Sequence, residues 1–209
     1  MTEVLDTTTS AARLPQLDES ALATLFGGAR TANSFADTPV SDELLEAIWA
    51  HAKWAPTAAN TQPLRVLYVR PGAGRDRLVS HMSEGNQAKT AGAPAVAVLA
   101  VDTEFHEFIP QVFPINPGMK DFLAGNDEVR GQMAQMNSAL QAGYFILAVR
   151  ALGLAAGPMT GFDNAGLDAD FFPVGRLRSL MVVNIGHPAE NAWFDRLPRL
   201  DAADTVSWA

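Results

Sequence analysis

The segment AVAVLAVD, residues 95 to 102, is an almost unbroken apolar run of strand length. A strand with one side facing water alternates apolar and polar residues, whereas a strand covered on both faces reads as a continuous apolar stretch. We therefore predict that residues 95 to 102 form a central strand with other elements packed on both of its faces.

Other segments supply the neighbouring strands and the covering helices. Their residue types predict strands at 65–70, 154–159 and 180–186. The helical spacing of apolar residues predicts helices at 17–27, 42–52, 75–82, 126–152 and 164–171. Because helices and strands are intermixed along the chain, we predict an α+β fold with a central mixed β-sheet flanked by helices.

The longest helical pattern begins at Asn126 and ends before Gly153. Its apolar residues recur at every third or fourth position, at Val129, Met133, Met136, Leu140, Tyr144, Leu147 and Ala151. Between residues 139 and 152 the pattern is apolar almost all round, so we expect this half to be buried or to form a dimer seam. Met133, Met136 and Tyr144 are expected to be packing residues.

Length and charge limit the classes of partner. A chain of 209 residues fits one domain, which we place at 17–209 after a short arm at 1–16. The formal net charge of −8 makes nucleic acids and anionic membranes poor partners, so an anionic ligand needs a local basic site. The longest apolar runs, such as AVAVLAV and YFILAV, are far shorter than the roughly 20 residues that span a bilayer. We therefore predict a cytoplasmic protein with no membrane segment.

Side chains that could carry out catalysis by themselves are scarce. The absence of cysteine excludes disulfides, thiolate metal sites and thiol nucleophiles. The stretch PGAGRDR lacks the third glycine of a dinucleotide-binding fingerprint. An acidic cluster formed by Asp102, Glu104, His106 and Glu107 is interpreted as the start of a helix rather than as a metal site. The remaining chemistry is of the kind that a cofactor performs.

The loop APTAANTQP, residues 55 to 63, suits a flat and uncharged ligand such as a flavin ring. Thr57, Asn60 and Gln62 offer neutral hydrogen-bonding groups, and Pro56 and Pro63 stiffen the backbone at the two ends. An Asn, Thr and Pro loop is nevertheless more often a plain turn than a ligand site. The loop alone therefore leaves both interpretations open.

Several motifs in order resemble one family. These motifs are ARTANSF at 29–35, APTAANTQP at 55–63, AGAPAVAVLAVD at 91–102, GPMTGFD at 157–163 and RLPRLD at 196–201. Together they resemble the FMN-dependent nitroreductases, and within that family the subgroup of malonic semialdehyde reductases of pyrimidine degradation. The resemblance covers nearly everything after residue 17.

The resemblance implies an intertwined homodimer with one FMN at each of two sites made by both chains. It also implies that NADH or NADPH reduces FMN and leaves, and that a small carbonyl or nitro compound then accepts the hydride from flavin N5. No side chain is assigned as catalytic. A flavin-binding carrier or sensor without turnover is the alternative, and a different flavin enzyme on the same fold is another.

The resemblance also assigns residues to the cofactor. Arg30 and Thr31 are expected to bind the phosphate, with Arg196 and Arg199 as a second clamp. The alternative for Arg196 and Arg199 is a solvated tail that pairs with Asp195 and Asp201. The ring is expected to contact Pro56, Thr57, Asn60 and Gln62 from the partner chain, and its N5 and O4 edge to contact Pro158, Met159, Thr160 and Gly161.

Two further regions bear on the predicted site. Asn33 stands where many family members have Lys or Arg beside the flavin pyrimidine edge, which predicts weaker stabilisation of reduced flavin and a lower potential. A plain loop asparagine is the alternative. The irregular segment 103–125 is interpreted as a lid outside the core, in which Phe105, Phe108, Phe113 and Phe122 wall the substrate pocket. Three cations are candidates for binding a substrate carboxylate, namely Lys89, Lys120 and Arg130.

Overall fold

The structure is a computed structural model and describes residues 14 to 209. Most of the predicted arm, residues 1 to 13, therefore lies outside the described residues. The strands are β1 (Leu64–Val69), β2 (Ala95–Asp102), β3 (Ala155–Met159) and β4 (Leu177–Gly186). The helices are α1 (Glu19–Leu22), α2 (Asp42–Ala52), α3 (Ala73–His81), α4 (Glu84–Ala91), α5 (Ile109–Val112), α6 (Met119–Ala124), α7 (Asp127–Ala151), α8 (Asn164–Phe171) and α9 (Ala202–Thr205).

The four strands lie in the order β1-β2-β4-β3, and every pairing among the described residues is antiparallel. The α+β prediction is confirmed, but the prediction of a mixed sheet is wrong. The end of β1 pairs with the start of β2, at Val69 and Val96, because α3 and α4 return the chain to the edge that it left. Intermixed helices and strands do not by themselves determine strand direction, which depends on where each connection ends.

Strand β2 is central and fully buried, as its apolar run predicted. Alternate residues point to opposite faces of the sheet. Leu99 packs in the cluster that contains Ile48 of α2 and Phe145 of α7, whereas Val98 packs in the cluster that contains Leu78 of α3. Because Phe145 is fully buried, its truncation to alanine would cost about 3–5 kcal/mol.

Helix α7 occupies almost the predicted range, but it buries a different face. Its buried side chains are Ala134, Asn137, Ser138, Gln141, Ala142, Phe145, Ala148 and Val149. The predicted apolar stripe is largely outside, since Met136, Leu140 and Tyr144 are 68%, 44% and 42% exposed. Of the two predicted alternatives, burial within the subunit is wrong for this stripe, although Met133 does pack against the core, and the dimer seam stays a prediction. Apolar periodicity shows that a face is apolar, but it does not identify what covers that face.

Three further segments depart from the expected pattern. The first predicted helix is α-helical only over Glu19–Leu22 and continues as a π-helical turn over Ala23–Gly27. Helix α4 was not predicted, because its sequence EGNQAKTA has no apolar periodicity. Segment 103–125 contains α5, α6 and a 3₁₀ turn at Phe105–Phe108, and three of its residues, Phe105, Ile109 and Leu123, are fully buried. Its description as lying outside the core is therefore wrong.

Among residues 14 to 209, no helix combines the length and the apolar character needed to cross a bilayer.

Candidate functional site

A small cavity lies where the segment after Gly28 passes between β3 and the C-terminal tail. The backbone N–H of Ala32 donates to the carbonyl of Ala156 at 3.0 Å, and that of Asn33 donates to the carbonyl of Ala192 at 2.9 Å. The cavity has a volume of about 170 Å³ and is lined by Ala29, Arg30, Thr31, Asn33, Phe194, Asp195, Arg196, Leu197 and Arg199. The structure thus brings together the residues that were predicted to bind a phosphate.

The arginines of this cavity bind carbonyl oxygens. Arg30 donates to the carbonyl of Phe194 at 3.2 Å, and Arg196 donates to that of Gly27 at 2.7 Å. Arg199 donates to the carbonyl of Leu197 at 3.0 Å. No ion pair within residues 14 to 209 involves any of the three, and Asp195 is the one carboxylate in the lining beside them. The local charge of the cavity is positive in a protein of net charge −8.

The segment after β3 presents two backbone donors. Neither Thr160 nor Gly161 donates its backbone N–H to another described residue. The carbonyl of Gly161 is occupied, since it accepts hydrogen bonds from the side-chain Nδ2 of Asn86 at 2.8 Å and from the backbone N–H of Ser83 at 3.1 Å. At the other end of the segment Gly157 is required, because a Cβ there would lie 2.7 Å from the carbonyl oxygen of Ala32. Met159 is buried and Pro158 is half-buried.

The uncharged loop 55–63 is held in an unusual backbone conformation. Ala59, Asn60 and Gln62 have φ angles of 49°, 53° and 46°, which is the left-handed region that L-residues seldom adopt. Each such residue costs on the order of 1–3 kcal/mol and persists only where its surroundings enforce it. Here the Asn60 side chain donates to the carbonyl of Val112 at 2.7 Å and accepts from Nε2 of Gln62 at 2.9 Å. Pro56 and Pro63 therefore account for only part of the rigidity.

The loop does not share the arginine cavity. Gln62 instead lines a second cavity of about 580 Å³, together with Arg65, Phe108 and Val112 among others. Within one subunit the predicted cofactor residues are spread over separate places. The arginine cavity is lined by Arg30, Thr31, Asn33, Arg196 and Arg199, the second cavity is lined by Gln62 of the loop, and segment 158–161 lines neither cavity.

A buried carboxylate lies under the loop. Asp102 is 1% exposed and accepts from Arg65 at 2.7 Å and from Arg176 at 2.8 Å. Burial lowers the pKa of Arg65, and the neighbouring Asp102 opposes that shift. Hydrogen bonding to Asp102 raises the pKa of Arg176, with Glu107 adding to the effect. In the part of the chain that the structure describes, no three His, Asp or Glu side chains are grouped as metal ligands.

The prediction that Phe105 walls the substrate pocket is wrong, and those for Phe108, Phe113 and Phe122 stay predictions. Phe105 is fully buried and cannot line a pocket, whereas Phe108 and Phe122 are exposed. Among the candidate cations, Arg130 pairs with Asp127 at 2.9 Å. Lys89 and Lys120 take part in no ion pair of the described residues.

Some polar residues of the site escaped the sequence reasoning. Asn86 contacts Gly161, Asn137 of α7 contacts Ala58 in the loop, and Gln141 of α7 contacts Leu64 just after it. Gln141 carried a detectable signal, because it is one of the few polar residues in the apolar half of α7, whereas Asn137 lies in the more polar first half. Asn86 carried none, since it lies in a polar stretch.

Comparison with known proteins decides the family. The model of the nitroreductase family matches residues 28–187. This chain belongs to the nitroreductase family. The family prediction made from the five motifs is therefore confirmed.

Individual nitroreductase relatives extend the match over the chain. A Streptomyces coelicolor protein, named as a candidate NADH dehydrogenase/NAD(P)H nitroreductase, is 58% identical over 196 residues, which cover 94% of this chain and 97% of the relative. A nitroreductase structure from Exiguobacterium sibiricum in complex with FMN has a TM-score of 0.81 at 19% identity and covers 93% of this chain and 99% of its own. A structure from Staphylococcus epidermidis, named as a candidate NAD(P)H:FMN oxidoreductase, has a TM-score of 0.77 at 18% identity and covers 95% of this chain and 99% of its own. These structures support the nitroreductase fold.

Proposed function

We propose that this nitroreductase-family protein is an FMN-dependent NAD(P)H oxidoreductase that reduces a small carbonyl or nitro compound. The observation that carries the proposal is the arginine cavity, where Arg30, Arg196 and Arg199 converge without a carboxylate partner among the described residues. The name of the Streptomyces coelicolor relative and the FMN in the Exiguobacterium sibiricum structure support it.

The residues present fit both ends of FMN. A phosphate requires cations and hydroxyl donors, which the three arginines and Thr31 supply. The edge of the flavin ring requires neutral donors, and Thr160 and Gly161 have backbone N–H groups that donate to no other described residue. The amide of Asn33 lies in the same cavity as the arginines.

When bound, FMN would take two electrons and a proton from NADH or NADPH and pass them to the oxidant. The chain's own residues would bind the cofactor and orient it. The arginines neutralise the phosphate, and the segment 158–161 holds backbone donors toward the ring. The loop residues Pro56, Thr57, Asn60 and Gln62 contribute uncharged groups on a backbone that is already rigid, which lowers the entropic cost of ordering the site.

The site is proposed to be completed by a second copy of the chain. The exposed stripe of α7 lines an apolar groove of about 520 Å³ formed by Met136, Ala139, Leu140, Gly143, Tyr144 and Leu147. Soluble monomers seldom leave such a contiguous apolar surface in water. A homodimer through α7 would cover it and would allow the loop of one subunit to reach the arginine cavity of the other.

The homodimer is tested by Leu140→Lys, with Val174→Lys as the control at another exposed apolar position. Light scattering after gel filtration should give a dimer for the wild type and the control, and a monomer with weakened FMN binding for Leu140→Lys. A wild-type protein that is monomeric when saturated with FMN would contradict the proposal.

The oxidant within this function is proposed to be malonic semialdehyde, which would be reduced to 3-hydroxypropionate in the cytoplasm. Its carboxylate requires a cation, and Lys89 lies on α4 one turn after Asn86, which contacts Gly161. Lys89→Met should raise the KM for malonic semialdehyde and leave the KM for an uncharged aldehyde unchanged. Equal effects on both aldehydes would remove Lys89 from the substrate site.

The function itself is tested on purified protein. FMN should bind with one molecule per subunit, and anaerobic NADH or NADPH should bleach the flavin absorbance. Addition of an aldehyde, a quinone or a nitroaromatic should restore it. A protein that binds FMN but does not bleach would be a carrier or a sensor, and a protein that binds no FMN would refute the proposal entirely.

A further inference from the structure

Two buried amides on one face of α7 hold the loop 55–63, one at Ala58 within the loop and the other at Leu64, the first residue of β1. Oδ1 of Asn137 accepts the backbone N–H of Ala58 at 2.7 Å, and Oε1 of Gln141 accepts that of Leu64 at 3.0 Å. The two residues are one helical turn apart and are 3% and 0% exposed. The loop and the start of β1 are thus attached to α7, the longest helix of the described residues.

The orientation of the Asn137 amide is determined by its two bonds. Nδ2 donates to the carbonyl of Met133 in the preceding turn at 2.7 Å, so Oδ1 must face the N–H of Ala58. Gln141 is less constrained, because its Nε2 is buried without a partner among the described residues. Asn137 is therefore the more specific of the two contacts.

The contact lies where the loop needs support. Ala58 immediately precedes Ala59, the first residue of the loop with a positive φ, and Asn60 and Gln62 also have a positive φ. Within the loop, the bond from the N–H of Gln62 to Oγ1 of Thr57 is long, at 3.4 Å. A left-handed segment keeps its conformation only when outside contacts enforce it.

We propose that Asn137 is a positioning residue for the flavin site. It does not touch the cofactor, but it holds Ala58 so that Thr57, Asn60 and Gln62 keep the conformation that receives the ring. This inference rests on the proposed function, because the loop is taken to contact FMN. It assigns a ligand-directed role to a helix residue that would otherwise count only toward fold stability.

Two substitutions separate positioning from simple stabilisation. Asn137→Leu keeps the branched shape and the number of side-chain heavy atoms and loses both hydrogen bonds, whereas Asn137→Asp keeps the acceptor for Ala58 and loses the donor to Met133. A buried charge is more destabilising than a buried leucine, so the thermal midpoint should fall further in Asn137→Asp than in Asn137→Leu. FMN affinity, by contrast, should fall further in Asn137→Leu than in Asn137→Asp.

The measurements are the Kd for FMN, from quenching of flavin fluorescence on apo-protein at pH 8, and the thermal midpoint of the same samples. Asn137→Leu should raise the Kd about tenfold, which is the typical effect of one lost buried hydrogen bond, and Asn137→Asp should stay within about threefold of the wild type. If the Kd instead follows the thermal midpoint, with Asn137→Asp the weaker binder, Asn137 is merely structural and the inference is refuted.

Ser138→Ala is the matched control. Ser138 is the next residue, is fully buried, and its hydroxyl has no hydrogen-bond partner among the described residues. Its removal should leave the FMN Kd unchanged, and an increase equal to that of Asn137→Leu would contradict a specific role for Asn137. Absence of FMN binding in the wild type would refute the proposed function, whereas equal binding by wild type and Asn137→Leu would refute this inference alone.

Discussion

Asn86 and Gly161 are joined by a contact that only a glycine permits. Nδ2 of Asn86 donates to the carbonyl of Gly161 at 2.8 Å, and a Cβ on residue 161 would lie 2.7 Å from the same nitrogen. The amide of Asn86 is carried by α4, so the contact sets the distance between this helix and the segment after β3. The backbone donors of Thr160 and Gly161 are positioned as a result.

Gly161→Ala should therefore weaken FMN binding. The new methyl group must displace the Asn86 amide or the segment itself, and the loss of one such bond corresponds to about a tenfold higher Kd. The control is Gly85→Ala on α4, where a Cβ meets nothing within 4 Å. That control should raise stability by up to about 1 kcal/mol with no change in Kd. Unchanged FMN affinity in Gly161→Ala would show that the segment does not position the flavin.

The arginine cavity predicts selectivity for the phosphate of the cofactor. Arg30→Gln and Arg196→Gln should each raise the Kd for FMN by about tenfold or more, because a charge-assisted contact to phosphate is lost. The same variants should change the Kd for riboflavin, which lacks the phosphate, by less than about twofold. Arg77→Gln, whose guanidinium pairs with Asp170 at 2.6 Å, is the control for loss of a surface cation. Equal losses for FMN and riboflavin would place these arginines away from the phosphate.

Asn33 predicts the direction of a change in flavin potential. Its backbone is fixed by the bond to Ala192, and its Nδ2 donates weakly to the carbonyl of Thr31 at 3.3 Å. Asn33→Lys adds a positive charge that would stabilise the negative charge of reduced flavin. Potentiometric titration should give a higher midpoint potential for Asn33→Lys than for the wild type, with Asn33→Asp lower. A potential that does not rise in Asn33→Lys would place residue 33 away from the pyrimidine edge.

Asp170 predicts how stability depends on pH. Hydrogen bonds from Arg77 and from His81 lower the pKa of Asp170 below its ordinary value of 3.8. A carboxylate whose pKa is lowered by folding stabilises the protein above its unfolded pKa and loses that contribution as the pH falls through its folded pKa. The thermal midpoint of the wild type should therefore exceed that of Asp170→Asn at pH 7, and the difference should shrink below pH 3.8.

Arg77→Gln is the control for this pH dependence, because Arg77 is the main cause of the shift. Like Asp170→Asn, it should make the thermal midpoint differ less between pH 7 and low pH than it does in the wild type. The interpretation fails if the gap between wild type and Asp170→Asn stays constant from pH 7 to pH 2.5, a range on either side of the ordinary value of 3.8.

Much of the fold could be predicted from local sequence. The buried strand 95–102, the helix from Asp127 to Ala151 and the cap of α2 by Ser41 all follow from periodicity or from end signals within a few residues. Helix α4 could not be predicted, since its only buried residue is Thr90 and its position depends on contacts with distant segments.

The sequence by itself determined the four strands, the helices α2, α3, α7 and α8 and, through several motifs in sequence order, the nitroreductase family. Only the tertiary structure decided that the sheet is antiparallel, that Phe105 is buried, and that Arg30 and Arg196 meet at one cavity while the loop lies elsewhere. The physical reason is the separation along the chain of the residues that interact. Periodicity and capping act within a few residues, whereas strand direction and a convergent charge cluster depend on contacts between residues that are far apart in the chain.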